Sequence, residues 1–154
     1  MLQTTVALAL NVLAATIWVG GMFAAYLCLR PAAGSLEGPQ RLQLWRNFFA
    51  KFFPWVWVSL LLLLASGYWM LIANFGGFKG APLYINLMQA LGLLMGLLFV
   101  WLFHGPWLKF KRAVDAKDWP AAGAHIGQIA RIIQINLPLG LIVVVIGGTG
   151  RYWG

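Results

Sequence analysis

The stretch LNVLAATIWVGGMFAAYLCLRP, residues 10–31, decides how the rest of the chain is read. Its side chains are apolar or small apart from the amide of Asn11 until Arg30 is reached. A run of this length matches the roughly 20 residues that a helix needs to cross a hydrocarbon core. No Lys or Arg precedes it, and its apolar character outlasts the core of a secretory signal, so it is expected to stay in place as a membrane helix. Arg30 and Pro31 mark its expected end, since the charge stops transfer and a proline lacks the amide that would continue the helix.

Outward from this stretch, three further apolar runs at residues 53–73, 84–103 and 132–148 join the first span at 6–29. The composition agrees, with 62% hydrophobic residues, 9 Trp and 10 Phe against only 3 acidic residues. A soluble domain of this length could not cover so much apolar surface. The expected fold class is therefore all-α: one polytopic membrane domain over residues 1–154, an up-down bundle of four transmembrane helices with amphipathic cytoplasmic segments.

Basic residues orient the bundle. Arg30, Arg41, Arg46 and Lys51 lie between the first two spans, and Lys109, Lys111, Arg112, Lys117 and Arg131 between the last two. The middle connection has Lys79 alone and the C-terminal end has Arg151. Positive loops stay inside, so both termini are expected on the periplasmic side of a bacterial inner membrane. The net charge of +8 sits beside the spans, where anionic headgroups are the nearer partner than nucleic acid, which is not expected to bind. Cys28 is the one cysteine, so it matches no two-thiol motif and reads as a small packing residue.

The two basic connections are patterned. After Gly38-Pro39, Leu42, Trp45, Phe49 and Phe52 recur at steps of three and four, which reads as an interfacial amphipathic segment running into the second span. Pro54 is expected to kink that junction or open the span. His104-Gly105-Pro106 is read as closing or bending the third helix, and Asp118-Trp119-Pro120 as a cap and a new helical start. Most Trp residues, including Trp55, Trp57, Trp101 and Trp107, read as interfacial anchors.

Polar and soft side chains inside the spans are the candidates for function. Asn11, Trp18 and Met22 share a face of the first helix, and Ser59, Ser66 and Met70 a face of the second. The third offers Met88 and Met95, with Gly92 between them and Gln89 and Asn86 nearby; the fourth offers Gln134 and Asn136 beside Pro138. Thioethers are soft ligands that suit Cu(I), so Met22, Met88 and Met95 are candidate metal ligands, against the plainer reading that a Met stripe fills a core. His104 could ligate a metal or haem, or complement the helix end at the headgroups. Gly92 and Gly96 read as a close-packing motif. No HExxH, CxxC, Ser-His-Asp set or intramembrane carboxylate is present, so any chemistry must come from a bound cofactor or another subunit.

The first helix, through Trp18, Gly20, Gly21, Arg30 and Pro31, resembles the opening of the CopD-like copper-resistance membrane family. A wider likeness to HemJ-type protoporphyrinogen oxidases extends to FHG at 103–105 and to RIIQINLPLGLIVVVIGG at 131–148, through Arg131, Asn136 and Pro138. The resemblance implies a four-helix membrane protein that binds or passes a copper ion, or a haem b or other porphyrin, within the bundle. It implies cofactor contacts at His104, Asn11, Trp18, Arg131 and Asn136, and metal contacts at His104, Met22, Met88 and Met95. In these families the position seven residues before the Trp is typically a histidine ligand; here it is Asn11, whose amide is a poor ligand for haem iron or Cu(I). That departure sets protoporphyrinogen oxidation, the enzymatic option, below the others. It leaves open a non-catalytic accessory subunit of a larger respiratory or other energy-transducing membrane complex, with other membrane subunits, a second copy of the chain, or lipid as its partners.

Overall fold

A computed structural model describes residues 2–153. It contains four helices long and apolar enough to cross a membrane: α1 (Leu2–Ala33), α2 (Gly38–Phe75), α3 (Leu83–Asp115) and α4 (Trp119–Tyr152). The chain is thus an all-helical, multi-pass membrane protein, and the described residues outside these helices are short connections. Helices of 32 to 38 residues are about 48–57 Å long, against a hydrocarbon core of about 30 Å. Each therefore overruns the expected span, and most of the excess projects at the end of the bundle where the basic residues cluster.

The first helix, expected to end at Arg30-Pro31, runs to Ala33, and the third, expected to close or bend at His104-Gly105-Pro106, runs on to Asp115. Pro31 lies just beyond a widened turn at Ala24–Leu29, where the Arg30 amide bonds to the Ala25 carbonyl, five residues back rather than four. A second such turn, Phe103–Trp107, contains Pro106, and α3 continues through it to Asp115. Proline breaks a helix because its ring meets the carbonyl four residues earlier and its amide is missing. A turn with i to i+5 bonding changes which carbonyl faces the ring, so the helix passes. Pro54 and Pro138 lie inside α2 and α4 and open neither.

The segment read as lying in the membrane interface is a continuation of α2. Its stripe of Leu42, Trp45 and Phe49 is buried and Phe52 is partly buried. The cover is protein: Phe110, Ala113 and Val114 of α3, with Ala122 and Ile129 of α4, belong to the same core cluster. At its centre Phe53 stacks on Phe49 at 4.7 Å between ring centroids, meets Trp107 edge-on at 5.1 Å and Phe99 at 5.5 Å. Arg46 and Asp115 close the outside of this layer with an ion pair of 3.1 Å, exposed enough to contribute little. Asp118 caps α4 as expected, accepting from the Ala121 amide at 3.4 Å. At the other end Gly76, with φ of 70°, ends α2 in the left-handed conformation that favours glycine.

Around the bundle α1 packs along α2 and α3 along α4, while α2 and α3 touch less. Where α1 meets α4, Val19 lies against Gly140. Beyond that crossing, toward the termini, the helices leave a space between them.

Candidate functional site

This space is a cavity of about 340 Å³ in the half of the membrane domain nearer the termini. All four helices wall it, and Asn11, Thr16, Trp18, Met88, Gln89 and Met95 supply its polar and soft groups. No charged residue lines it.

Asn11 is tied to α2. Its Nδ2 donates to Ser66 Oγ at 3.1 Å and to the Leu63 carbonyl at 3.5 Å, while Ser66 Oγ donates to the Leu62 carbonyl. Gly67 makes room for this contact: a Cβ there would stand 3.0 Å from Gln89 Nε2 and 3.7 Å from Asn11 Nδ2. Amides from α1 and α3 thus approach α2 where it has no side chain. We expect Asn11→Leu to cost about 0.6–1.7 kcal/mol, the range for polar contacts between membrane helices. Unfolding in detergent should show Ser66→Ala adding little to Asn11→Leu, since both remove one bond; fully additive losses would mean that the bond contributes nothing.

Trp18 is 2% exposed and sets its ring edge toward Phe99, with centroids 6.1 Å apart. Met88 and Met95, seven residues apart, face two glycines at the same spacing on the antiparallel α4. A Cβ at Gly147 would lie 3.0 Å from the Met88 methyl, and one at Gly140 3.1 Å from that of Met95. Each methionine fills the notch of one glycine. Seven residues of helix rise about 10 Å, so these thioethers are separate stations and not one chelate. Of the expected close-packing pair, Gly96 does meet Leu60, at 3.0 Å from its would-be Cβ, whereas Gly92 faces open space on the cavity wall.

The other expected site residues lie elsewhere. His104 is exposed on the outside of α3; its Nδ1 donates to the Val100 carbonyl at 2.9 Å, and its ring stands edge-on to Trp57 and Phe103. Arg131 is exposed on α4. Met22 is buried in the core cluster but does not line the cavity. Asn136 is 3% exposed; its Nδ2 donates to the Met95 carbonyl at 3.3 Å, and its Oδ1 is buried without a partner. The cavity therefore joins Asn11, Trp18, Met88 and Met95, and leaves out His104, Arg131, Asn136 and Met22. Gly67, Gly140 and Gly147 were not among the expected site residues; the signal for the last two was their spacing, which equals that of the methionines.

No group of three His, Cys, Asp or Glu side chains that could hold a metal occurs among the described residues. With two thioethers and no imidazole or thiolate on its wall, the cavity does not fit a haem, whose iron takes His, thiolate or Tyr ligands or a Met paired with His. Thioethers do suit a copper(I) ion as cargo.

Four membrane helices around an uncharged cavity define a small multi-pass membrane protein with a space between its spans. Residues 46–149 match the family model described as copper resistance protein D, and the chain belongs to that family. The matched interval begins in α2, so Asn11 and Trp18 lie outside it. No curated protein and no solved structure matches the chain.

Proposed function

We propose that the chain passes copper(I) through the helix bundle of a bacterial inner membrane, along Met88, Met95 and Met22, with its basic end in the cytoplasm. The observation that carries this reading is the run of thioethers inside an uncharged bundle. Met88 stands on the cavity wall, Met95 is 3% exposed at the cavity's inner limit, and Met22 is 2% exposed in the core. Family membership supplies the metal. A thioether binds Cu(I) without losing a proton, so a site free of carboxylates and imidazoles can still take the ion. Donors set apart along the axis suit transfer from station to station, whereas storage needs donors that converge. The uneven placement of Lys and Arg supports the orientation.

The test is copper(I) uptake into proteoliposomes holding the full chain. Met95→Leu keeps size and apolarity, at under about 1.5 kcal/mol in stability. It is expected to slow uptake about tenfold, the effect of raising a barrier by about 1.4 kcal/mol. Uptake at the wild-type rate in both Met95→Leu and Met22→Leu would overturn the path. A chain that passes no copper and copurifies with stoichiometric membrane subunits would favour an accessory role instead.

A further inference from the structure

The thioethers leave part of the cavity unexplained. Trp18 and Gln89 both line it, and neither side chain makes a hydrogen bond among the described residues. Trp18 is 2% exposed, and its indole N–H can only donate, so it needs an acceptor that the protein does not bring. The other side-chain donors of the wall are engaged: Asn11 Nδ2 donates to Ser66, and Thr16 Oγ1 donates to the Val12 carbonyl at 2.8 Å.

The rim shows where an acceptor would come from. Val12 and Val144 line the cavity yet are 54% and 48% exposed, so the space opens sideways, toward the hydrocarbon layer that surrounds the spans. A ligand arriving this way is lipid-soluble, and a wall without charge selects an uncharged one. The volume of about 340 Å³ is near the lower end of the range for small-molecule sites, enough for one ring system with its tail left in the opening.

We propose that the cavity binds a lipid-soluble quinone, its ring beside Trp18 and its carbonyl oxygens accepting from the Trp18 indole and the Gln89 amide. An acyl chain from a phospholipid would fill the same volume but would leave both donors unpaired in an apolar medium, which disfavours it. This inference does not rest on the copper path, because Trp18 and Gln89 are not part of it.

Two substitutions probe the cavity with little effect on packing. Gly92 lies on its wall, and a Cβ there meets no atom within 4 Å, so Gly92→Leu extends into the empty space. Gln89→Leu keeps the bulk and removes the donor.

The experiment titrates decylubiquinone into the full chain in phosphatidylcholine nanodiscs and follows tryptophan fluorescence, with Trp18→Phe assigning the signal to its indole. The expected result is saturable quenching, weakened about tenfold by Gln89→Leu through loss of one hydrogen bond and abolished by Gly92→Leu. Quenching that rises without saturation, or that saturates equally in Gln89→Leu and Gly92→Leu, would overturn the site. So would a tightly held phospholipid that decylubiquinone does not displace. Should Gly92→Leu fail to fold, Gln89→Leu alone decides, since it leaves the wall intact. Copper uptake by the same preparations separates the two readings: normal uptake without saturable quinone binding overturns only this one, and the reverse overturns only the copper path.

Discussion

Phe53→Ala is expected to lower the stability of the protein by about 3 kcal/mol, read as a shift in its unfolding transition in detergent. Phe53 is 2% exposed, and five aromatic neighbours surround it: Phe49, Phe52, Phe99, Phe103 and Trp107. They come from α2 and α3, which touch less than α1 and α2 or α3 and α4 do, so this cluster is a main join between them. Removing the ring leaves a void that the helices can close only by moving two long elements together. In a soluble core the cost would include lost transfer free energy and reach the upper end of about 3–5 kcal/mol. Near a membrane the transfer part shrinks, because lipid is as apolar as the core, while the lost dispersion contacts remain. Phe53→Leu should recover much of the loss. If Phe53→Ala shifted the transition no more than an exposed change such as Leu61→Ala does, the cluster would not be what holds α2 to α3.

The four spans were legible because run length alone separates a membrane helix from other apolar segments, and residues 84–103 need no periodicity to be recognised. Helix ends were less so. Pro31 and Pro106 carry the usual stop signal, and what cancels it is a change in backbone hydrogen bonding at Ala24–Leu29 and Phe103–Trp107 that leaves no mark in side-chain pattern. Part of the cavity could be read: Asn11 and Trp18, and Met88 and Met95, stand out from their apolar surroundings at steps of seven. The glycines could not be sorted, because Gly96, which touches Leu60, and Gly92, which faces space, have the same sequence context. Whether a missing side chain serves contact or emptiness depends on the facing helix. The stripe from Leu42 to Phe52 posed a similar ambiguity, since its pattern suits lipid as well as a neighbouring helix.

Gly140→Leu is the second large expected effect, a loss of about 3 kcal/mol, because α1, α3 and α4 all meet at this residue. A Cβ on Gly140 would lie 2.8 Å from Val19 Cγ2 and 3.1 Å from the Met95 methyl. The two neighbours respond differently. Met95 ends in a flexible thioether that can swing, whereas Val19 is branched at Cβ and has one favoured rotamer in a helix. A further three carbons on Gly140 must therefore push α1 away from α4, and overpacking of this kind costs about 1–3 kcal/mol, at the upper end where the neighbour is stiff. The smaller change Gly140→Ala combines a gain of about 1 kcal/mol in helix propensity with a milder clash, so its net effect should be small. A double-mutant cycle isolates the contact. Val19→Ala removes the atom in the way, so Gly140→Ala made in that background should stabilise, with the propensity gain no longer opposed. Unfolding midpoints in detergent measure all four proteins of that cycle, and a Gly140→Ala effect that is the same with and without Val19→Ala would show that α1 and α4 do not cross here.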